Sequence, residues 1–102
     1  MDAVVAAKPE EGRYELRVGG ELVGFAMYRD EHGSRVFFHT EVDPHHHHEG
    51  LGHLLVTTAL GEMREQGTPV IPLCPFFAAF IRENPDWHDV LDPRLRERFQ
   101  HA

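Results

Sequence analysis

Phe38-His39-Thr40-Glu41-Val42-Asp43-Pro44, followed after a short loop by Glu49-Gly50-Leu51-Gly52, is the stretch on which the fold turns. Before it the apolar residues follow a strand's pattern, and after it they recur at steps of three and four. Val36, Phe37, Phe38 and Val42 predict a β-strand over 35–42, closed by Asp43-Pro44. Leu51, Leu54, Leu55, Ala59 and Met63, widened by Val56 and Leu60, form one apolar stripe down a helix that stops at Gly67. A strand, a loop and a Gly-x-Gly pair opening a helix aim several backbone N–H groups at one point. The helix start adds partial positive charge, and residues without a Cβ let anionic oxygens approach. The turn is thus a candidate anion site that needs no basic side chain, although such a pair is also an ordinary tight turn. No Lys-Ser or Lys-Thr pair follows the glycines, and Leu55 stands where a dinucleotide fingerprint needs its third glycine, so both common nucleotide loops are excluded.

Toward the N-terminus, Tyr14, Leu16 and Val18 alternate with charged residues up to Gly19-Gly20, and Leu22 to Tyr28 is again rich in β-formers. A second turn at Asp30-Glu31-His32-Gly33 completes an antiparallel meander. Residues 1–12 carry no periodicity that fixes a boundary and read as a loosely ordered end. Toward the C-terminus, Pro69 to Leu73 suits a short buried strand, and Pro75 opens a helix with Phe76, Phe77, Phe80 and Ile81 at helical spacing. Asn84-Pro85 breaks that helix. Asp92-Pro93 supplies an N-cap and first-turn proline for a terminal helix that turns Leu91, Leu95 and Phe99 inward. The expected fold class is α+β, a mixed sheet with helices against its faces, in a single domain over 1–102.

At 102 residues the chain buries one core and has no room for separate cofactor and substrate domains. Apolar residues make up 41% and charged ones 26%, the balance of a globular protein. Ten basic against 17 acidic residues leave a net charge of −7, which repels nucleic acid and acidic membranes. Neither is expected as a partner, and an anion must be held by local geometry. No apolar run approaches the ~18 residues of a membrane span, and Met1-Asp2-Ala3-Val4-Val5 lacks the form of a secretion signal, so the expected location is the cytoplasm. The sequence does not reveal the oligomeric state. Six of the nine histidines, His39, His45 to His48 and His53, crowd together. Four consecutive residues on an extended chain point alternately to opposite sides, so no metal site is expected from them. Cys74, the single cysteine, has no disulfide partner within the chain and is either packed or reactive.

Taken together, Phe38 to Pro44, Gly50-Leu51-Gly52, the helix ending at Gly67 and Pro72-Leu73-Cys74-Pro75-Phe76 resemble the short, single-domain branch of the GNAT superfamily of N-acetyltransferases. The resemblance covers about residues 13 to 91. It implies a mixed sheet splayed open near its middle, with the pantetheine arm of acetyl-CoA in the splay and the pyrophosphate on the glycine loop. The cofactor-binding residues implied are Thr40, Val42, His47, His48, Glu49, Gly50, Leu51, Gly52, His53, Cys74 and Phe76. In the family's loop pattern Gly50 and Gly52 hold the glycine positions, while His47 stands where Gln or Arg is usual and His48 where glycine is frequent.

The mechanism implied is attack of a neutral amine on the thioester, whose carbonyl is polarised by a strand N–H near Thr40 to Val42. The catalytic candidates are His39 or Glu41 as base and Cys74 as an acyl acceptor, with His39 otherwise a half-buried histidine satisfied by the sheet. The leaving-group tyrosine common in relatives is absent, for its helix carries Phe77 and Phe80. Gly19-Gly20 closes the connection in which relatives with known amine substrates usually carry extra helices. The function implied is acetyl transfer to a small or protein amine, and the alternative is a CoA- or acyl-CoA-binding module with little turnover, completed by a partner.

Overall fold

A computed structural model describes residues 2–46 and 50–100. The meander forms as the turn chemistry predicts: β2 (Arg13–Val18), β3 (Glu21–Glu31) and β4 (Ser34–Val42) pair antiparallel through two-residue connections. Helix α1 (Leu51–Gln66) follows, then a short strand β5 (Val70–Pro72) and helix α2 (Pro75–Glu83). A 3-10 segment (Pro85–Val90), a 3-10 turn (Pro93–Leu95) capped by Asp92, and the short helix α3 (Arg96–Gln100) complete the chain.

The N-terminal end departs from expectation. Ala3–Lys8 is not loosely ordered but forms a strand, β1, in full antiparallel register with β2 from Ala3 opposite Val18 to Lys8 opposite Arg13. Its run Ala-Val-Val-Ala-Ala has no polar alternation although its burial alternates: Ala3, Val5 and Ala7 pack on the core, and the outward residues Val4 and Ala6 are themselves apolar. The sheet is therefore five-stranded, in the order β1-β2-β3-β4-β5, with β5 leading into Cys74.

The β4–β5 pair is parallel and short. It runs from Arg35 opposite Val70 to Phe37 opposite Pro72, where β5 turns away into α2. Beyond Phe37 the strand β4 continues alone on that side to Val42, and this divergence is the splay that the resemblance implies.

The core lies on one face of the sheet. Tyr14, Leu16, Ala26, Tyr28 and Phe37 meet Leu51, Leu55, Val56, Ala59, Leu60 and Met63 of α1 and Phe77, Ala78 and Ile81 of α2. Phe37 and Phe77 stack with centroids 4.4 Å apart. The expected α+β arrangement, a mixed sheet with helices packed on it, is thus found, and the buried side chains of α1 and α2 all join this one core. The opposite face carries Arg13, Glu15, Arg17, Phe25, Met27, His39 and Glu41. Its groups are tied laterally, Glu15 between Arg13 at 2.6 Å and Arg17 at 3.1 Å, with the Arg13 guanidinium over the Phe25 ring. The hydrogen bond from Arg13 holds the Glu15 carboxyl below its ordinary pKa against the opposing effect of burial. Among the described residues no helix is long and apolar enough to cross a membrane.

Candidate functional site

A β-bulge decides which side of the sheet each candidate faces. The β3–β4 register slips between Met27 and Tyr28, so that Met27 opposes His39 while Tyr28 opposes Phe37. Simple alternation puts Phe37 and His39 on one face; the extra residue, Phe38, separates them. Phe37 is buried in the core, whereas His39 points out of the opposite face, 6.0 Å from the Phe25 ring. The Nε2 of His39 and the Oε2 of Glu41 lie 2.7 Å apart, so the two base candidates form a single hydrogen-bonded pair. With side chains 49% and 61% exposed they remain open to an incoming acceptor.

The same slip turns the backbone of the strand's second half. Asp43 donates its N–H to Val23 O at 2.7 Å, so the alternation directs Glu41 and His39 toward β3 and the amide groups of Thr40 and Val42 toward the open edge. Among the described residues no partner occupies that edge beyond Phe37, whose carbonyl accepts from Leu73 and Cys74 N–H at 2.9 and 3.0 Å.

The space left by the divergence is a cavity of about 460 Å³ lined by Phe38, His39, Thr40, Cys74, Pro75 and Phe76. It therefore brings together Thr40, Cys74 and Phe76, expected to bind cofactor, with His39, expected to act on the acceptor. Cys74 is buried, at the N-cap of α2, with its Sγ 3.2 Å from Thr40 Oγ1 in hydrogen-bond contact. Phe38 and Pro75 also line the cavity and were not among the sequence candidates. The bulge that turns Phe38 outward leaves no mark in a run of strand formers, whereas Pro75 was legible as the residue opening α2 next to Cys74.

At the start of α1, Gly50 is the N-cap in the left-handed conformation, φ 75°, with open space where a Cβ would stand. It provides no capping side chain, and the first turn has no acidic residue. The first-turn N–H groups of Leu51, Gly52 and His53 have no partner within the helix, and among the described residues none accepts from them, so they point out of the positive end of a 16-residue helix. Leu51 is buried in the core and offers only its backbone. His53 is exposed, its ring edge-on to Phe80 at 5.2 Å.

Gly52 has a further reason to lack a side chain beside the one expected. A Cβ there would lie 2.7 Å from Cζ of Phe76, so the missing side chain makes room for the aromatic ring that lines the cavity. Helix start and cavity are thereby joined through one contact. The candidates His47, His48 and Glu49 lie outside the described residues.

The helix-start donors, the exposed strand edge and the cavity lie side by side on one end of the sheet. Open space at Gly50 leaves the helix start accessible to an anion, and the outward amides of Thr40 and Val42 can hydrogen-bond an extended partner. Tyr14, the phenol nearest the core, does not replace the absent tyrosine of α2. Its hydroxyl donates to Glu62 at 2.9 Å, and burial with that carboxylate pushes its pKa up.

Against known families, the pattern described as GCN5-related N-acetyl-transferase matches residues 13–90, and the chain belongs to that family. No curated protein matches the chain. Membership supports an acetyltransferase type of function.

Proposed function

From that membership and this geometry, we propose that the protein is an acetyl-CoA-dependent N-acetyltransferase acting on an amine. The observation that carries the reading is the continuity of three elements: the free N-terminus of α1, the Phe76–Gly52 contact, and the open β4 edge beside the cavity that holds Cys74. Acetyl-CoA supplies the acetyl group as an activated thioester. The N–H groups of Leu51, Gly52 and His53 hold its pyrophosphate, and the outward amides of Thr40 and Val42 align the pantetheine arm along β4. His47, His48 and Glu49 belong to the same loop in this reading. With a net charge of −7 the chain draws little anion by its overall field, so affinity rests on these local donors.

The acceptor amine approaches from the face that bears His39 and Glu41, since the other side of the splay is filled by the Phe37–Phe77 stack. Glu41, through His39, takes the proton that the ammonium must lose before it can attack. Cys74, hydrogen-bonded to Thr40 within the cavity wall, is either a packed thiol or a site of transient acylation. We place the reaction in the cytoplasm, with a small-molecule or protein amine as acceptor.

A second reading, a CoA- or acyl-CoA-binding module with little turnover that a partner completes, is favoured by one feature. Helix α2 presents Phe76, Phe77 and Phe80 where relatives place a tyrosine acid.

Calorimetric titration with CoA and acetyl-CoA near neutral pH tests both. Binding is expected, and its absence at any pH excludes both readings. Incubation with acetyl-CoA and a panel of amines, followed by mass spectrometry of the amines and of the intact protein, separates them. Acetylated amine supports the enzyme; binding without acetylated amine supports the module. An added acetyl group on the protein that disappears in Cys74→Ala identifies the thiol as acceptor.

A further inference from the structure

The two ends of the sheet are finished differently. Outside β5, Leu91 makes a parallel bridge to Val70, and Asp92 donates its N–H to Val70 O at 2.9 Å, so that edge is covered. Outside β1 no described residue pairs with the strand. Gly19 donates to Asp2 O at 3.1 Å, so the even residues of β1 direct their backbone toward β2, and Ala3, Val5 and Ala7 direct theirs outward. Proteins usually blunt such an edge with charge, proline or a bulge. Here Ala3 to Ala7 is uncharged, free of proline and in unbroken register with β2, and Val4 is 59% exposed.

We propose that this edge pairs with β1 of a second copy of the chain, antiparallel about a two-fold axis, joining the two sheets into one. Hydrogen-bond parity restricts the register. The outward-directed residues are all odd, so an odd residue must oppose an odd one. Centring the strands places Val5 opposite Val5 of the second copy and Ala3 opposite its Ala7, each pair exchanging N–H···O bonds.

That register has an electrostatic consequence nothing in the hydrogen-bond argument requires. Asp2 falls opposite Lys8 of the second copy, and Lys8 opposite its Asp2, on the same face as Val4 opposite Ala6. Among the described residues neither Asp2 nor Lys8 has an ion-pair partner within its own chain. The strand is thus self-complementary in backbone donors and in charge, as an isologous two-fold interface requires. The buried area of one strand pair is small, so the dimer is a reversible one.

Sedimentation over a wide concentration range tests this on the full chain. A monomer–dimer equilibrium is expected. Val5→Pro removes an outward N–H but no bond to β2, a placement that edge strands tolerate, and should weaken the dimer by about tenfold or more with the circular dichroism unchanged. Lys8→Asp faces Asp2 with a like charge and should weaken it by about threefold to thirtyfold. Exchanging both charges, Asp2→Lys with Lys8→Asp, should restore it. A chain that stays monomeric at millimolar concentration overturns the proposal. So does a dimer indifferent to Val5→Pro, or one that the double exchange fails to restore.

Discussion

Substituting Gly52 by alanine tests what this glycine is for. The new Cβ would lie 2.7 Å from Cζ of Phe76, against the 3.5–4.0 Å of a normal carbon contact, so the ring must withdraw by about 1 Å. Phe76 is 44% exposed and the contact is at the far end of its side chain, so it can swing outward without unfolding the core. Two opposing effects follow. Alanine in a helix is favoured over glycine by up to ~1 kcal/mol, less in the first turn. Displacing the ring forfeits its packing on the helix start, roughly 0.5–1.5 kcal/mol of half-buried aromatic contact. In the native background the packing loss equals or exceeds the helix gain, and Gly52→Ala should change stability by between zero and about 1 kcal/mol in the destabilising direction. In a Phe76→Ala background the ring is gone and only the helix term remains, so Gly52→Ala should stabilise by about 0.5 kcal/mol. The coupling energy between the positions is then about 0.5–1.5 kcal/mol. Urea unfolding of the four proteins measures it. Additive effects, with coupling below about 0.3 kcal/mol, would refute the packing account of Gly52. A loss of CoA affinity on adding Gly52→Ala to Phe76→Ala would restore the phosphate-approach account instead.

Gly50→Val meets no neighbour within 4 Å, so its cost is backbone strain, at least ~1–2 kcal/mol for a side chain at φ 75°. Thermal unfolding should start several degrees lower and CoA affinity should fall, and a variant that binds normally contradicts the loop assignment. Glu41→Gln keeps the size of the side chain but not its basicity, so kcat should drop by roughly 10²-fold with KM for acetyl-CoA unchanged; an equal fall in cofactor affinity would assign Glu41 to binding instead. Asp92 is buried and bonded to Ser34 Oγ at 2.8 Å and to Arg94, whose hydrogen bonds hold its pKa well below the usual carboxylate range. A depressed folded pKa contributes stability above the unfolded value of about 3.9 that fades as pH falls toward the folded one. The stability gap between the native chain and Asp92→Asn should therefore be full near pH 6 and narrow below pH ~4; a gap independent of pH would mean that the charge contributes nothing.

Much of the fold was legible because its signals are local. The hairpin at Gly19-Gly20, the stripe of α1 from Leu51 to Met63 with its stop at Gly67, the opening of α2 at Pro75 and the Asp92 cap before Pro93 are all set by neighbours a few residues away. The strand β1 was not, because a run of small apolar residues has no period of its own and becomes a strand only when β2 is beside it. The candidate site divides the same way. Cys74 at the head of α2 and Gly50 at the head of α1 could be read from sequence, since a helix start is a local event.

What the sequence alone determined is the order and type of most elements, the position of two helix N-termini and the excess negative charge. Tertiary structure decided the rest, because each remaining feature depends on where a distant segment lies. The bulge at Phe38 arises from pairing with β3, and it sends His39 to the face opposite Phe37 and the amides of Thr40 and Val42 to the open edge. Phe76 and Gly52 are far apart in the chain, and only folding sets the ring where a Cβ would have been. A strand's register and a helix's approach are long-range quantities, fixed by the packing of the whole core and by no residue's own preference.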